Sequence, residues 1–121
     1  MWPLRLSGKQ CQGQHWEDQA LAFLQARGLT LVEANFSCKS GEIDLIVRDR
    51  GELVFVEVRQ RASSSHGGAA ASITPAKQRR VIRAAQTYLL RFEQVPPCRI
   101  DVLAFDGDQV EWLRNAIQAP P

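Results

Sequence analysis

The chain has 121 residues, 45% hydrophobic and 23% charged, with eight Gly and six Pro; this composition fits one soluble globular domain and excludes a disordered, fibrous or multi-domain chain. Its apolar runs, such as Leu45–Val47 and Leu53–Val56, fall far short of the roughly 20 residues that cross a bilayer, and Met1–Gln10 lacks the apolar stretch of a secretory signal, so a cytoplasmic protein with no membrane partner is expected. A net charge of +2 is too mild to indicate a nucleic-acid partner by itself.

Between Gln12 and Arg27 the apolar residues Trp16, Ala20, Phe23 and Leu24 recur at spacings of three and four, which predicts an amphipathic helix stopped by Gly28. Three strands follow, over Leu29–Phe36, Glu42–Arg48 and Leu53–Gln60, the last two joined by the turn-forming Asp49–Glu52. Ala62–Ser72, rich in Ser, Gly and Ala around His66, has no periodic pattern and reads as a flexible loop up to residue 73. Thr74 caps a second helix with Pro75 at its first position and a buried stripe of Val81, Ala84, Ala85, Tyr88, Leu89 and Phe92. Pro96–Pro97 ends that helix region, Cys98–Phe105 is a fourth strand, and Asp106–Asp108 turns into a short fifth strand around Val110–Leu113. The domain core is expected over about residues 13–114, with Asn115–Pro121 as a frayed tail.

Three cysteines, Cys11, Cys38 and Cys98, are an odd number at wide spacing and read as reduced thiols. Cys11 and His15 share a helix spacing and Cys38 is a further thiol, but no CxxC or second His pair completes a zinc site. No P-loop, HExxH, GxSxG or GxGxxG string occurs.

The charge is unevenly placed. Val58–Phe92 contains no acid, while Arg59, Arg61, Lys77, Arg79, Arg80, Arg83 and Arg91 give it +7, leaving the rest of the chain at −5. Lys77, Arg79, Arg80 and Arg83 are read either as a solvated helix face or as a surface that tracks phosphates. Alternation puts Phe55, Glu57 and Arg59 on one strand face. A hairpin centred on Arg50–Gly51 then sets Ile46 opposite Phe55, Asp44 opposite Glu57 and Glu42 opposite Arg59. Directly opposed side chains have Cβ atoms about 4.5–5.5 Å apart, so two carboxylates there repel unless a cation lies between them. Hard oxygen ligands suit Mg²⁺ or Mn²⁺. Glu17, bordering the apolar stripe of the first helix, is a third candidate acid. Asp101, among Ile100, Val102 and Leu103, reads as structural more than functional.

A helix glutamate, a strand acid, and Glu57-Val58-Arg59 on the hairpin partner together resemble the Glu, Asp, Glu-x-Lys site of restriction-endonuclease-like nucleases, of which archaeal Holliday junction resolvases are compact members. More closely, Gly13, Glu17 and Ala20, the run Gly41-Glu42-Ile43-Asp44-Leu45-Ile46, the run Phe55-Val56-Glu57-Val58-Arg59-Gln60-Arg61, then Lys77 and Arg99-Ile100-Asp101-Val102 resemble the bacterial YraN family over residues 13 to 105. The resemblance implies a restriction-endonuclease-like α/β/α core with a mixed five-stranded sheet flanked by helices, and a nucleic-acid role in a largely uncharacterised family.

Carried over by position, Asp44 and Glu57 are metal ligands, Val58 a carbonyl ligand, and Glu17 a ligand directly or through water. Arg59 takes the lysine position. This departs from the pattern, because Arg is effectively never deprotonated and cannot act as a general base, although it can stabilise charge on phosphate. Gln60 needs a bulge to join the site, and Lys77 is placed to approach the scissile phosphate. The readings compared are a Mg²⁺- or Mn²⁺-dependent nuclease acting on DNA, branched or structured, by shape more than sequence; a nucleic-acid-binding module without turnover; and a protein-interaction domain. Arg61, Lys77, Arg79, Arg80 and Arg83 are the expected nucleic-acid contacts, and a homodimer is compatible with cutting two strands.

Overall fold

Three of the connections are too short to do anything but reverse the chain. Strand β1 (Thr30–Cys38) meets β2 (Gly41–Asp49), β2 meets β3 (Glu52–Arg61), and β4 (Cys98–Asp106) meets β5 (Gln109–Ile117), each across two residues, so each pair is antiparallel. Arg50 and Gly51 both have positive φ, 56° and 98°, the conformation that matches the twist of a two-residue hairpin. Between β3 and β4 the chain passes through helix α2 (Pro75–Leu89), and that crossover makes β3 and β4 parallel. The result is a mixed five-stranded sheet in the order β1-β2-β3-β4-β5, as the sequence led one to expect. The computed structural model describes residues 8–61 and 73–120, with backbone only for 8–13 and 61. The loop expected over Ala62–Ser72, His66 within it, the leader reading of the first residues, and the side chains of Cys11 and Arg61 lie outside the described residues.

Helix α1 (Gly8–Gln25) packs Ala20 and Leu24 on one sheet face against Leu45, Val47, Val54, Val56, Leu103 and Phe105. Gly28, at φ 92°, ends it: Leu29 N–H donates to the Leu24 carbonyl at 3.1 Å and Gly28 N–H to that of Gln25 at 3.0 Å, the paired bonds that a glycine past the helix end permits. Helix α2 packs Val81, Ala84, Ala85 and Tyr88 on the other face against Ile43, Ile46, Phe55 and Val102. Each fully buried Leu, Ile or Phe of these two cores contributes about 1.5–3 kcal/mol. The Thr74 hydroxyl accepts from Lys77 N–H at 3.1 Å, and Pro75 follows at the first helical position, as expected.

Several boundaries differ from expectation: helix α1 begins at Gly8 rather than Gln12, and two further differences have a clear cause. Helix α2 ends at Leu89, and the next residues form tighter turns in which Leu90 N–H donates to Thr87 and Phe92 N–H to Leu89. Strand β5 runs to Ile117, into the stretch read as a frayed tail, because Ile117 is buried in the α2-side core and Asn115 N–H donates to Asp101 Oδ1 at 2.8 Å. Among the described residues no helix is long and apolar enough to cross a membrane. Cys38 and Cys98 are free thiols.

Candidate functional site: a fork between β2 and β3

The expected hairpin register is observed where the two strands pair: Ile46 lies opposite Phe55 and Asp49 opposite Glu52. The pairing stops at Leu45 and Val56. Asp44 and Glu57 are therefore not a ladder pair, nor are Glu42 and Arg59, which corrects the extrapolation of that register. Beyond this point β2 stays with β1 as far as Gly41 opposite Cys38, while β3 stays with β4 as far as Arg61 opposite Asp106. The sheet divides into two arms.

The cause is local. Ile43 and Ile46 pack into the same core although three residues apart, while Leu45 packs into the other, so the pleat slips at Asp44. Directly across on β1, between the pairs Ala34–Leu45 and Phe36–Ile43, stands Asn35 with φ 57°. This left-handed conformation is one that Asn tolerates better than most residues. With the ladder open, the Asp44 carboxylate takes the place of a main-chain acceptor: Val58 N–H donates to its Oδ2 at 2.8 Å. Gly41 fixes the other end of this arm. A Cβ there would lie 3.1 Å from the Arg80 carbonyl oxygen, so any larger residue would force α2 and the start of β2 apart by a few tenths of an ångström.

Four charged groups converge at the fork. Glu57 is 3% exposed, and its Oε2 is 3.5 Å from Lys77 Nζ, reaching over from α2, and 3.8 Å from the Arg59 guanidinium. Burial first, and then repulsion from Asp44, push the Glu57 carboxyl up to about 7 despite the two cations. Burial also raises Asp44, against the Val58 N–H and Lys77, which favour its ionised form. On the α1 side, Glu17 is half-buried and raised by burial and by Asp44, while a hydrogen bond from the Asn35 side chain lowers it. Asp44 thus lies within electrostatic reach of both Glu57 and Glu17. Among the described residues no three His, Cys, Asp or Glu side chains are grouped closely enough to hold a metal ion; the acids at the heart of the fork are a pair, with Glu17 at its edge.

Of the remaining predicted residues, Arg79, Arg80 and Arg83 are exposed on α2 beyond Lys77. Gln60 is exposed at the sheet's end. Asp101 is fully buried elsewhere, where Arg99, the Trp112 indole N–H and Asn115 N–H all donate to it. Arg99 also donates to Glu52 at 2.6 Å and Asp49 at 3.0 Å; these bonds outweigh burial and hold its guanidinium above its usual range. That cluster is a structural pin, in line with the reading of Asp101. Asn35 is the site residue that sequence reasoning missed, and its only signal was a turn-forming residue inside a run of strand formers.

Residues 16–105 match the model of an uncharacterised protein family, UPF0102. A UPF0102 protein of Janthinobacterium sp. (strain Marseille) is 58% identical over 113 residues, covering 93% of this chain and 92% of its own length. One of Cupriavidus metallidurans is 59% identical over 106 residues, 87% of this chain and 79% of its own. One of Ralstonia pickettii is 59% identical over 109 residues, 86% of this chain and 87% of its own.

Proposed function

This chain belongs to the uncharacterised protein family UPF0102, as the YraN resemblance led one to expect, and we propose that it is a metal-dependent nuclease cutting the phosphodiester backbone of structured or branched DNA. The observation that supports this reading is the fork: two acids, Asp44 and Glu57, each raised by burial, with Asp44 close enough to raise Glu57 further. A divalent cation would offset both penalties, and the donor set is hard oxygen, which suits Mg²⁺ or Mn²⁺. Asp44 and Glu57 would hold the ion with the Val58 carbonyl, and Glu17 would reach it through water. Bound there, the ion supplies neutralisation of phosphate charge and a more acidic water.

The chain's own residues supply the rest. Arg59 is placed beside Glu57 to stabilise negative charge on a bound phosphate but cannot give up its proton. Lys77 approaches the same carboxylate oxygen and would add a second cation toward a bound phosphate. Arg61, Arg79, Arg80 and Arg83 would hold backbone phosphates, which gives recognition by shape rather than by base sequence. Cutting both strands of a branched substrate takes two copies of a one-site chain, so a homodimer is the expected assembly, working in the reducing cytoplasm where single thiols persist.

The test is a panel of branched and linear DNA and RNA substrates with Mn²⁺, run with wild type, Asp44→Asn and Glu57→Gln. Asparagine keeps an acceptor for Val58 N–H, so the fold is preserved. Metal-dependent cleavage by the wild type alone is the expected result. Cutting that survives both substitutions would reject the reading. Arg59 in the lysine position favours a second reading, a binding module without turnover, which the same panel identifies as salt-sensitive binding with no product.

A further inference from the structure

On the α1 face, beside the fork, four aromatic rings continue the buried core out to the surface. Trp16, next to Glu17 on α1, packs on Phe105 with ring centres 5.0 Å apart, and Phe105 lies opposite Gln60 at the site end of the sheet. Farther along, the edge of Phe23 meets Trp112 at 6.1 Å. Trp16, Phe23 and Trp112 are only half-buried. Two arginines sit over this row: the Arg27 guanidinium carbon is 3.5 Å from the Phe23 ring centre and that of Arg114 is 4.1 Å from the Trp112 ring centre. Arg27 is also fixed by donating to the Phe23 carbonyl at 2.9 Å.

A guanidinium stacked on a ring is common, and the state of its charge separates a structural cover from a binding group. Arg91 lies over Tyr88 at 3.7 Å but is neutralised by Glu33 at 3.4 Å. Arg27 and Arg114 are exposed and, among the described residues, form no ion pair. Each presents an exposed planar cation beside a ring, its donors free of any carboxylate among the described residues. Planar guanidinium and aromatic faces are the platforms on which unpaired bases stack, while the charge tracks the adjoining phosphates. Duplex DNA, whose bases are stacked on one another, offers no partner for such a surface.

We propose that the Arg27–Phe23–Trp112–Arg114 shelf binds an unpaired DNA strand leaving the fork, while α2 holds a duplex arm across the sheet. This deepens the nuclease reading and rests on it: the favoured substrate is one in which single-stranded and double-stranded segments meet.

The experiment measures binding in EDTA, so that cleavage does not enter, using a labelled oligo(dT) and a blunt duplex of matched length. It compares wild type with the double variants Arg27→Gln/Arg114→Gln and Arg27→Lys/Arg114→Lys, with melting curves to verify folding. Both variants are expected to lose about tenfold or more in oligo(dT) affinity and to keep duplex affinity within about twofold, a small change because these cations lie off the duplex path. Lysine retains the charge but not the plane, so rescue by lysine overturns the stacking shelf. Equal losses for both ligands, or unchanged oligo(dT) binding, also overturn it, as does tighter binding of oligo(U) than of oligo(dT). A wild type that binds neither DNA form instead defeats the nucleic-acid reading itself.

Discussion

Glu57 is the residue on which the electrostatics of the fork can be tested without any substrate. Its carboxyl moves from an ordinary 4.5 to about 7 on folding, through burial and the neighbouring Asp44. Between those values the native state binds more protons than the unfolded one, so stability falls as pH rises through this window, and the loss is complete above pH 7. At about 1.36 kcal/mol per pH unit, the ionised carboxylate costs roughly 3 kcal/mol in the metal-free protein, net of Lys77 and Arg59. Glutamine is neutral at every pH and has nearly the same shape. Glu57→Gln should therefore match the wild type near pH 5 and exceed it by roughly 3 kcal/mol at pH 8.5, on the order of 10 °C in melting temperature. Thermal melts in EDTA across pH 5 to 8.5 read this directly. Parallel pH profiles, or a variant less stable than wild type at pH 8.5, would refute the reasoning. Mn²⁺ at a hundred times its dissociation constant should then stabilise the wild type by about 2.7 kcal/mol at pH 8.5 and Glu57→Gln by much less; equal shifts would mean that the ion binds elsewhere.

Gly41→Ala pushes a methyl to 3.1 Å from the Arg80 carbonyl and should cost about 1–3 kcal/mol in urea unfolding; a neutral result would remove the close approach as the reason for this glycine. Asp101→Asn takes the charge from a fully buried carboxylate that Arg99, Trp112 and Asn115 all reach, and a loss of about 3 kcal/mol is expected by the same method, a loss under 1 kcal/mol counting against the pin. Replacing Arg79, Arg80 and Arg83 together with glutamine should lower the slope of log affinity for duplex DNA against log salt by about 3, measured by anisotropy, whereas an unchanged slope would leave those residues as a solvated face.

How far the site was legible follows from which rules are local. The Arg50–Gly51 turn sets the β2–β3 register within a few residues, so the pairing of Ile46 with Phe55 could be read directly from the sequence. The same rule, extended without a break, wrongly carries the ladder on to Asp44 and Glu57. What breaks it is long-range: the slipped pleat at Asp44 appears only when Ile43 and Leu45 choose different cores, and that choice depends on α1 and α2 packing on opposite faces. Asn35 marks the break on β1, but a lone Asn in a strand is not informative until its partner is known. Strand β5 was underestimated for a related reason. Its end is fixed by Ile117 in a distant core and by Asn115 N–H on Asp101, while its own alternation is weak.

The two acidic clusters of this sheet differ in how completely their charges are satisfied. Both place carboxylates among apolar side chains, and both have cations to hand. At Asp101 every demand is met within the protein: a guanidinium donates to it, an indole N–H and a main-chain N–H complete its shell, and the shared cation is itself held by Asp49 and Glu52. Such a site has nothing left to offer a ligand. At Glu57 the cations stand at 3.5 and 3.8 Å, and the carboxyl still rises to about 7. The fold that assembles one complete shell leaves the ionised form of the other short of positive charge, at a cost to stability that a proton or a further cation would relieve. Perturbed acids that retain such a deficit are candidates for metal binding, and the proposed nuclease reading puts the ion at this one, where the ladder between β2 and β3 is open.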